Sequence, residues 1–163
     1  MKTLFLLRHA KSSWAEAGMP DHERPLNDRG KRDAPRVGQW LREQGLLPDR
    51  IVSSTAKRAR KTAEKVAHHC GYGGEIEFSA ALYEAHPDDY VRQLQQLPDS
   101  EQAVLVVGHN PTLEELLEQL TGQHNSLPTA ALAVVDMPID RWQDLASAPA
   151  GRLRTLWRPK DTA

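Results

Sequence analysis

The sequence predicts an α/β fold in a single domain, a mostly parallel central sheet with helices on both faces. Three observations carry this expectation. Short apolar runs of strand length alternate with longer segments of helical periodicity. The run Ala103-Val104-Leu105-Val106-Val107 is continuously apolar, as a central parallel strand covered on both faces has to be. The chain has 163 residues and no linker-like stretch, against about 150 residues per domain.

The elements follow in order along the chain. Thr3 to Arg8 is a first strand that ends in two polar residues, Arg8 and His9. Residues 12–26, rich in Ser, Gly, Pro and charge, read as a long loop. Asn27 is placed to cap a helix over about 28–44, with Ala34, Val37 and Leu41 inward, Pro35 tolerated inside it and Gly45 as its stop. Ile51-Val52-Ser53 is a second strand. Thr55 is the expected cap of the next helix, whose inner stripe is Ala59, Thr62, Ala63, Val66 and Ala67. Lys57, Lys61, Glu64 and Lys65 lie outside that stripe, and Gly71 with Gly73-Gly74 ends the segment. Ile76 to Phe78 is a third strand, followed by a loop to Pro87 and a short amphipathic helix over 88–97. After the central strand, Asn110 as N-cap and Pro111 at the first helical position start a helix with Leu113, Leu116, Leu117 and Leu120 inward and Gly122 at its end. Residues 130–137 and 152–158 are later strands, with a turn or short helix near 141–145.

Composition narrows the function classes. Lysine plus arginine is 21 and aspartate plus glutamate 22, a formal net charge of -1, whereas a general nucleic-acid binder shows a clear basic excess. One cysteine, Cys70, leaves no internal disulfide to form, which favours the cytoplasm. The apolar run at Met1–Leu7 is cut by Arg8 and His9, too short for a secretory signal of about 7–15 apolar residues. No apolar stretch approaches the roughly 18 residues of a membrane span. Nucleic acid and membrane are therefore not expected partners.

Chemistry is expected beyond the carboxyl ends of the strands, where open α/β sheets bind ligands. Arg8 and His9 follow the first strand. Ser53, Ser54 and then Arg58 follow the second, and His109 follows the central one at a helix N-terminus. Taken singly, Arg8-His9 reads as a solvated strand end and Gly108-His109-Asn110-Pro111 as a helix cap. Taken together, two histidines and two arginines converge on one edge. Guanidinium groups are forked donors matched to phosphate oxygens, a helix N-terminus adds unpaired N–H groups, and neutral imidazole can attack phosphorus. No Asp or Cys lies at ligand spacing to build a metal site, so a metal-free, cofactor-free pocket for a dianion is expected. His68-His69-Cys70 reads as a helix end rather than a metal site. His22, His86 and His124 receive the same reading, and the tryptophans Trp14, Trp40, Trp142 and Trp157 read as packing residues. Lys11, Arg24 and Arg29 read as solvated charges.

These residues carry a family resemblance. Leu7-Arg8-His9-Ala10-Lys11-Ser12-Ser13-Trp14, Arg24-Pro25-Leu26-Asn27-Asp28-Arg29-Gly30, the stretch Ser53 to Ala63 with its Arg58-Ala59-x-x-Thr62-Ala63 pattern, and Val107-Gly108-His109-Asn110-Pro111 resemble the histidine phosphatase superfamily. The resemblance is nearest to its short SixA-type phosphohistidine phosphatase branch and extends to about residue 137. It departs at Ala10, where the superfamily usually has glycine. It implies a phosphoglycerate mutase-like fold and one histidine phosphatase domain over residues 1–163. It implies His9 as a nucleophile that forms a transient phosphohistidine, with Arg8, Arg58 and His109 binding and stabilising the phosphoryl group. Glu84, after the third strand, is the positional candidate for a general acid, equally readable as an exposed loop carboxylate.

The implied substrate is phosphohistidine on a protein. Little of the chain is left for a lid, so an open pocket rimmed by residues 12–26 and 123–129 is expected, which suits a phosphorylated side chain. Two alternatives stand beside it: a phosphatase for small phosphate esters, and a noncatalytic phosphate-binding adaptor.

Overall fold

The computed structural model describes residues 1–146 and 150–160. The strands β1 (Lys2–Arg8), β2 (Arg50–Ser54), β3 (Ile76–Ser79), β4 (Ala103–Gly108), β5 (Leu132–Met137) and β6 (Arg152–Trp157) form one six-stranded sheet in the order β3-β2-β4-β1-β5-β6. The pairs β1–β4, β2–β4 and β2–β3 are parallel. The last two strands run antiparallel, β5 on β1 and β6 on β5. The apolar run expected at the centre is β4, flanked by β1 and β2.

Period-two alternation along the strands builds two cores. Phe5, Leu7, Ile51, Leu105 and Val107 face the helices α1 (Asp28–Glu43) and α2 (Lys57–Cys70). Leu4, Leu6, Val52, Val104 and Val106 face α3 (Pro87–Gln95) and α4 (Thr112–Thr121) on the opposite side. Helices therefore cover both faces, as the continuous apolar character of β4 requires. Short 3-10 turns at Asp21–Glu23, Ala80–Leu82 and Trp142–Asp144 complete the connections.

Local signals mostly act where the sequence places them. The Asn27 side chain accepts from the Gly30 N–H at 2.9 Å and caps α1, which carries Pro35 inside it. Gly71 and Gly122 close α2 and α4. Two caps differ. Ala56, not Thr55, is the N-cap of α2, and the Ser54 hydroxyl accepts the Ala56 N–H at 3.2 Å. The Thr55 hydroxyl instead meets His22 Nε2 at 2.9 Å. Helix α4 starts one residue later than expected, with Pro111 as N-cap, and the Asn110 amide nitrogen donates to Glu114 and to the Leu127 carbonyl while its oxygen caps no N–H among the described residues.

Packing of α1 on α2 depends on Gly38. A Cβ there would lie 2.6 Å from the Val66 carbonyl oxygen and 2.8 Å from His69 Cβ, and a backbone oxygen in a helix cannot step aside. Gly38→Ala is expected to force the two helices apart and to destabilise the fold by about 1–3 kcal/mol, the usual cost of overpacking. Urea denaturation of the two proteins checks this; an unchanged midpoint would show that the helices do not meet at this residue.

Candidate active site

The sheet register sets the site. Arg8 pairs with Gly108 across the parallel β1–β4 ladder, so His9 and His109 leave the same edge on adjacent strands. The backbone of this turn is pinned: His9 N–H donates to the Gly108 carbonyl, and Ala130 N–H lies 3.1 Å from both the Arg8 and His9 carbonyls. The two imidazole centroids are 5.1 Å apart. Gly108 is required here, because a Cβ would fall 2.1 Å from the Tyr90 hydroxyl, which donates to the Leu82 carbonyl.

His9 is 7% exposed. Its Nδ1 lies 2.7 Å from the Ala10 carbonyl oxygen. A carbonyl can only accept, so Nδ1 carries the proton and Nε2 keeps its lone pair. Burial is the largest cause that lowers the His9 pKa, to about 3, with His109, Arg58 and Arg8 adding to it. The His109 pKa is lowered to about 4, again first by burial and then by Arg58. Both rings are therefore neutral at pH 7. The His109 Nε2 meets the Ser54 hydroxyl at 2.8 Å.

The arginines approach from the two flanks. Arg58, in the first turn of α2 and 7% exposed, donates to the Asp21 carbonyl at 2.7 Å and to Asp21 Oδ2 at 3.0 Å. Arg8 donates from Nη1 to the Leu127 carbonyl at 3.1 Å, and burial lowers its pKa. The Nε atoms of Arg8 and Arg58 and Nδ1 of His109 are buried without a hydrogen-bond partner among the described residues. Buried donors in this state are suited to an anion's oxygens. Of the expected set, Arg8, His9, Arg58 and His109 are thus brought together. Glu84 is exposed, at φ 52°, and its charge acts on the neighbouring Tyr83.

Several contributors were not legible as such. Asp21, in the loop before α1, accepts from Arg24 at 2.9 Å, from Arg58, and from the Tyr83 hydroxyl at 2.6 Å. The Tyr83 bond is the largest cause holding its carboxyl well below the usual range, followed by the Arg24 and Arg58 bonds. Arg24 is no solvated charge: it is 7% exposed and also bonds Ser12 Oγ and the Ser13 carbonyl. Trp14 is no packing residue, being 77% exposed, with the Arg24 guanidinium over its ring. The Thr62 hydroxyl donates to the Arg58 carbonyl and accepts the Ala10 N–H, tying α2 to the turn after β1. Among the described residues no group of three or more His, Cys, Asp and Glu side chains is placed to hold a metal ion.

Two depressed histidines make the fold sensitive to acid. Below about pH 6.5 the unfolded chain takes up protons that buried His9 and His109 refuse until about 3 and 4, so stability falls as pH falls through that window. Imidazole ¹⁵N chemical shifts are expected to show both rings neutral at pH 5, His9 as the Nδ1–H tautomer. Titration of His9 near 6.5 would contradict the burial argument.

Comparison with known proteins places the fold and the family. The family model described as histidine phosphatase superfamily (branch 1) matches residues 4–96. An uncharacterized protein of Mycobacterium leprae (strain TN) is 33% identical over 153 residues, 85% of this chain and 91% of its own length. A crystal structure of a protein assigned as phosphohistidine phosphatase SixA from Agrobacterium tumefaciens superposes with TM-score 0.83 at 31% identity, over 97% of this chain and 98% of that one. A structure of the protein histidine phosphatase SixA complexed with tungstate shares the fold, with TM-score 0.82 at 23% identity over 96% of each chain. Two imidazoles and two guanidiniums at one sheet edge, with these matches over most of the chain, make the protein a member of the histidine phosphatase superfamily.

Proposed function

We propose that the protein hydrolyses phosphohistidine on a protein substrate through a covalent phosphohistidine intermediate on His9, without a metal or cofactor. Family membership supports histidine-phosphatase-type activity. The observation that carries the finer reading is the bond from His9 Nδ1 to the Ala10 carbonyl, which leaves an unprotonated Nε2 beside buried cationic donors.

In the proposed reaction His9 Nε2 attacks phosphorus in line, and the P–N bond to the substrate imidazole breaks. Arg8, Arg58 and His109 hold the three equatorial oxygens and stabilise the charge that develops on them. The released imidazole takes a proton from solvent, and His9, keeping its Nδ1–H, carries the phosphoryl group on Nε2 as a phosphorylated imidazolium. Water then attacks the phosphoenzyme, freeing inorganic phosphate and restoring neutral His9. The guanidinium of Arg58 is aimed by Asp21, which holds both its terminal nitrogens and leaves Nε for substrate.

Imidazole leaves from phosphorus more readily than an alkoxide does, so this reaction makes little demand on a general acid. The exposed, weakly engaged Glu84 fits that low demand. A left-handed backbone at a non-glycine residue costs about 1–2 kcal/mol, and at Glu84 it marks a backbone held in place by its surroundings. Glu84 is accordingly assigned the proton transfer only for ester substrates.

Acid-quench trapping with ³²P-labelled phosphohistidine protein tests the nucleophile. Acid-labile label is expected on the wild type and none on His9→Ala, with turnover down at least about 10⁴-fold; a fully active variant would remove the mechanism. Arg58→Ala is expected to lose about 10²–10³ in turnover, as for loss of one transition-state donor. Glu84→Gln is expected to leave phosphohistidine turnover near wild type and to slow hydrolysis of an alkyl phosphate. Equal loss on both substrates would instead make Glu84 a general acid for either. Faster turnover of a small ester panel than of the phosphoprotein would favour a small-molecule phosphatase. Oxyanion binding with no hydrolysis of an activated aryl phosphate would mark an adaptor.

A further inference from the structure

Outside the site, a groove of about 300 Å³ is lined by Lys31, Lys57, Lys61 and Lys65 over Pro25 and Leu26, its wall formed mostly by apolar atoms that include the lysine methylene stems. Four of its six lining residues are cationic and none is acidic, in a chain whose formal net charge is -1. The positive charge is therefore local and not a property of the whole surface. Lys61 is paired with Glu64 at 3.3 Å; no ion pair engages Lys31, Lys57 or Lys65 among the described residues. Three lysines recur every fourth residue along α2, so their side chains leave from one flank of that helix and their stems wall an apolar groove whose charges sit at its rim. Leu26, buried beneath them, gives an apolar floor.

Two chain connections join this groove to the active site. Lys57 immediately precedes Arg58 in the first turn of α2. Leu26 is bridged to Ser12, and Asn27 N–H donates to the Lys11 carbonyl, so the floor is paired with the segment that follows His9. From Lys57 to Lys65 the helix rises about 12 Å, the length of about four extended residues at roughly 3.3 Å each.

We propose that this groove docks an acidic segment of the phosphorylated protein substrate, with carboxylates of the segment meeting Lys31, Lys57, Lys61 and Lys65 and an apolar side chain resting on Pro25 and Leu26. The occupant is a protein because the groove is short and mostly apolar, with its charges carried by four lysines. A nucleic-acid backbone or an anionic membrane would need a broad cationic face. Charges placed this way steer and orient a partner, so the groove would select phosphoproteins that carry Asp or Glu beside an apolar side chain in the docking segment. This inference rests on the phosphoprotein reading above, but its binding step is independent of turnover.

The test measures fluorescence anisotropy of an unphosphorylated fluorescein-labelled octapeptide of alternating glutamate and leucine. Wild-type protein is expected to bind it, with affinity falling as salt rises, and Lys31→Glu/Lys65→Glu to bind about tenfold or more weakly. The neutral pair Lys31→Gln/Lys65→Gln is expected to fall between, which guards against misfolding of the charge-reversed protein. Hydrolysis of a small aryl phosphate is expected to stay unchanged in both. Equal peptide affinity in wild type and variants overturns the proposal. So does tighter wild-type binding of an oligothymidylate or of phosphatidylserine vesicles that the same variants lose. Lysine-dependent peptide binding in a protein that fails to hydrolyse phosphohistidine would keep the docking surface and sink the substrate reading instead.

Discussion

The proposed reaction depends on keeping His9 neutral while surrounding it with positive charge. A protonated imidazole is no nucleophile, and a phosphoryl dianion needs cations close by. The two demands support each other here. Burial and the nearby Arg58 and Arg8 penalise a third positive charge, so the His9 proton affinity drops to about pH 3. The same guanidiniums that suppress protonation are the groups proposed to hold the substrate oxygens. The Ala10 carbonyl settles which nitrogen is free.

Such a cluster of cations calls for a neighbouring anion. Asp21 supplies it from the edge, gripping Arg24 and Arg58 and accepting from Tyr83. The loop before α1 is thereby attached to α2 and to the turn after β3. Its placement follows from charge balance, with Arg24 buried as a strut between Asp21, Ser12 and Ser13. On the opposite flank, the Leu127 carbonyl receives both Arg8 and Asn110. The two expected rims thus hold arginines, residues 12–26 through Asp21, Ser12 and Ser13 and residues 123–129 through the Leu127 carbonyl.

Much of this was legible in the sequence, for physical reasons. Period-two alternation and the continuous apolar β4 are one-dimensional signals of a two-faced sheet. Strand ends carrying Arg8, His9 and His109 announce themselves because a core rejects those residues. What escaped depends on contacts across long sequence separation. Asp21 and Tyr83 are ordinary loop residues until folding puts them 2.6 Å apart. Arg24 looked solvated because nothing local shows that Asp21 and Ser12 surround it. Thr55 and Asn110 are good caps by type, yet His22 engages the Thr55 hydroxyl, and the Asn110 amide nitrogen is held by Glu114 and Leu127 with its oxygen left unpartnered among the described residues. Glu84 was placed by its position after β3, and its left-handed backbone has no counterpart in a residue pattern.

The direct test of the central claim is a crystal structure with vanadate, which takes the trigonal-bipyramidal geometry of the transferring phosphoryl group. The account predicts vanadium bonded to Nε2 of His9, with equatorial oxygens on Arg8, Arg58 and His109 and the Nδ1 bond to the Ala10 carbonyl intact. Vanadium carried by another side chain, or seated away from His9, would contradict it.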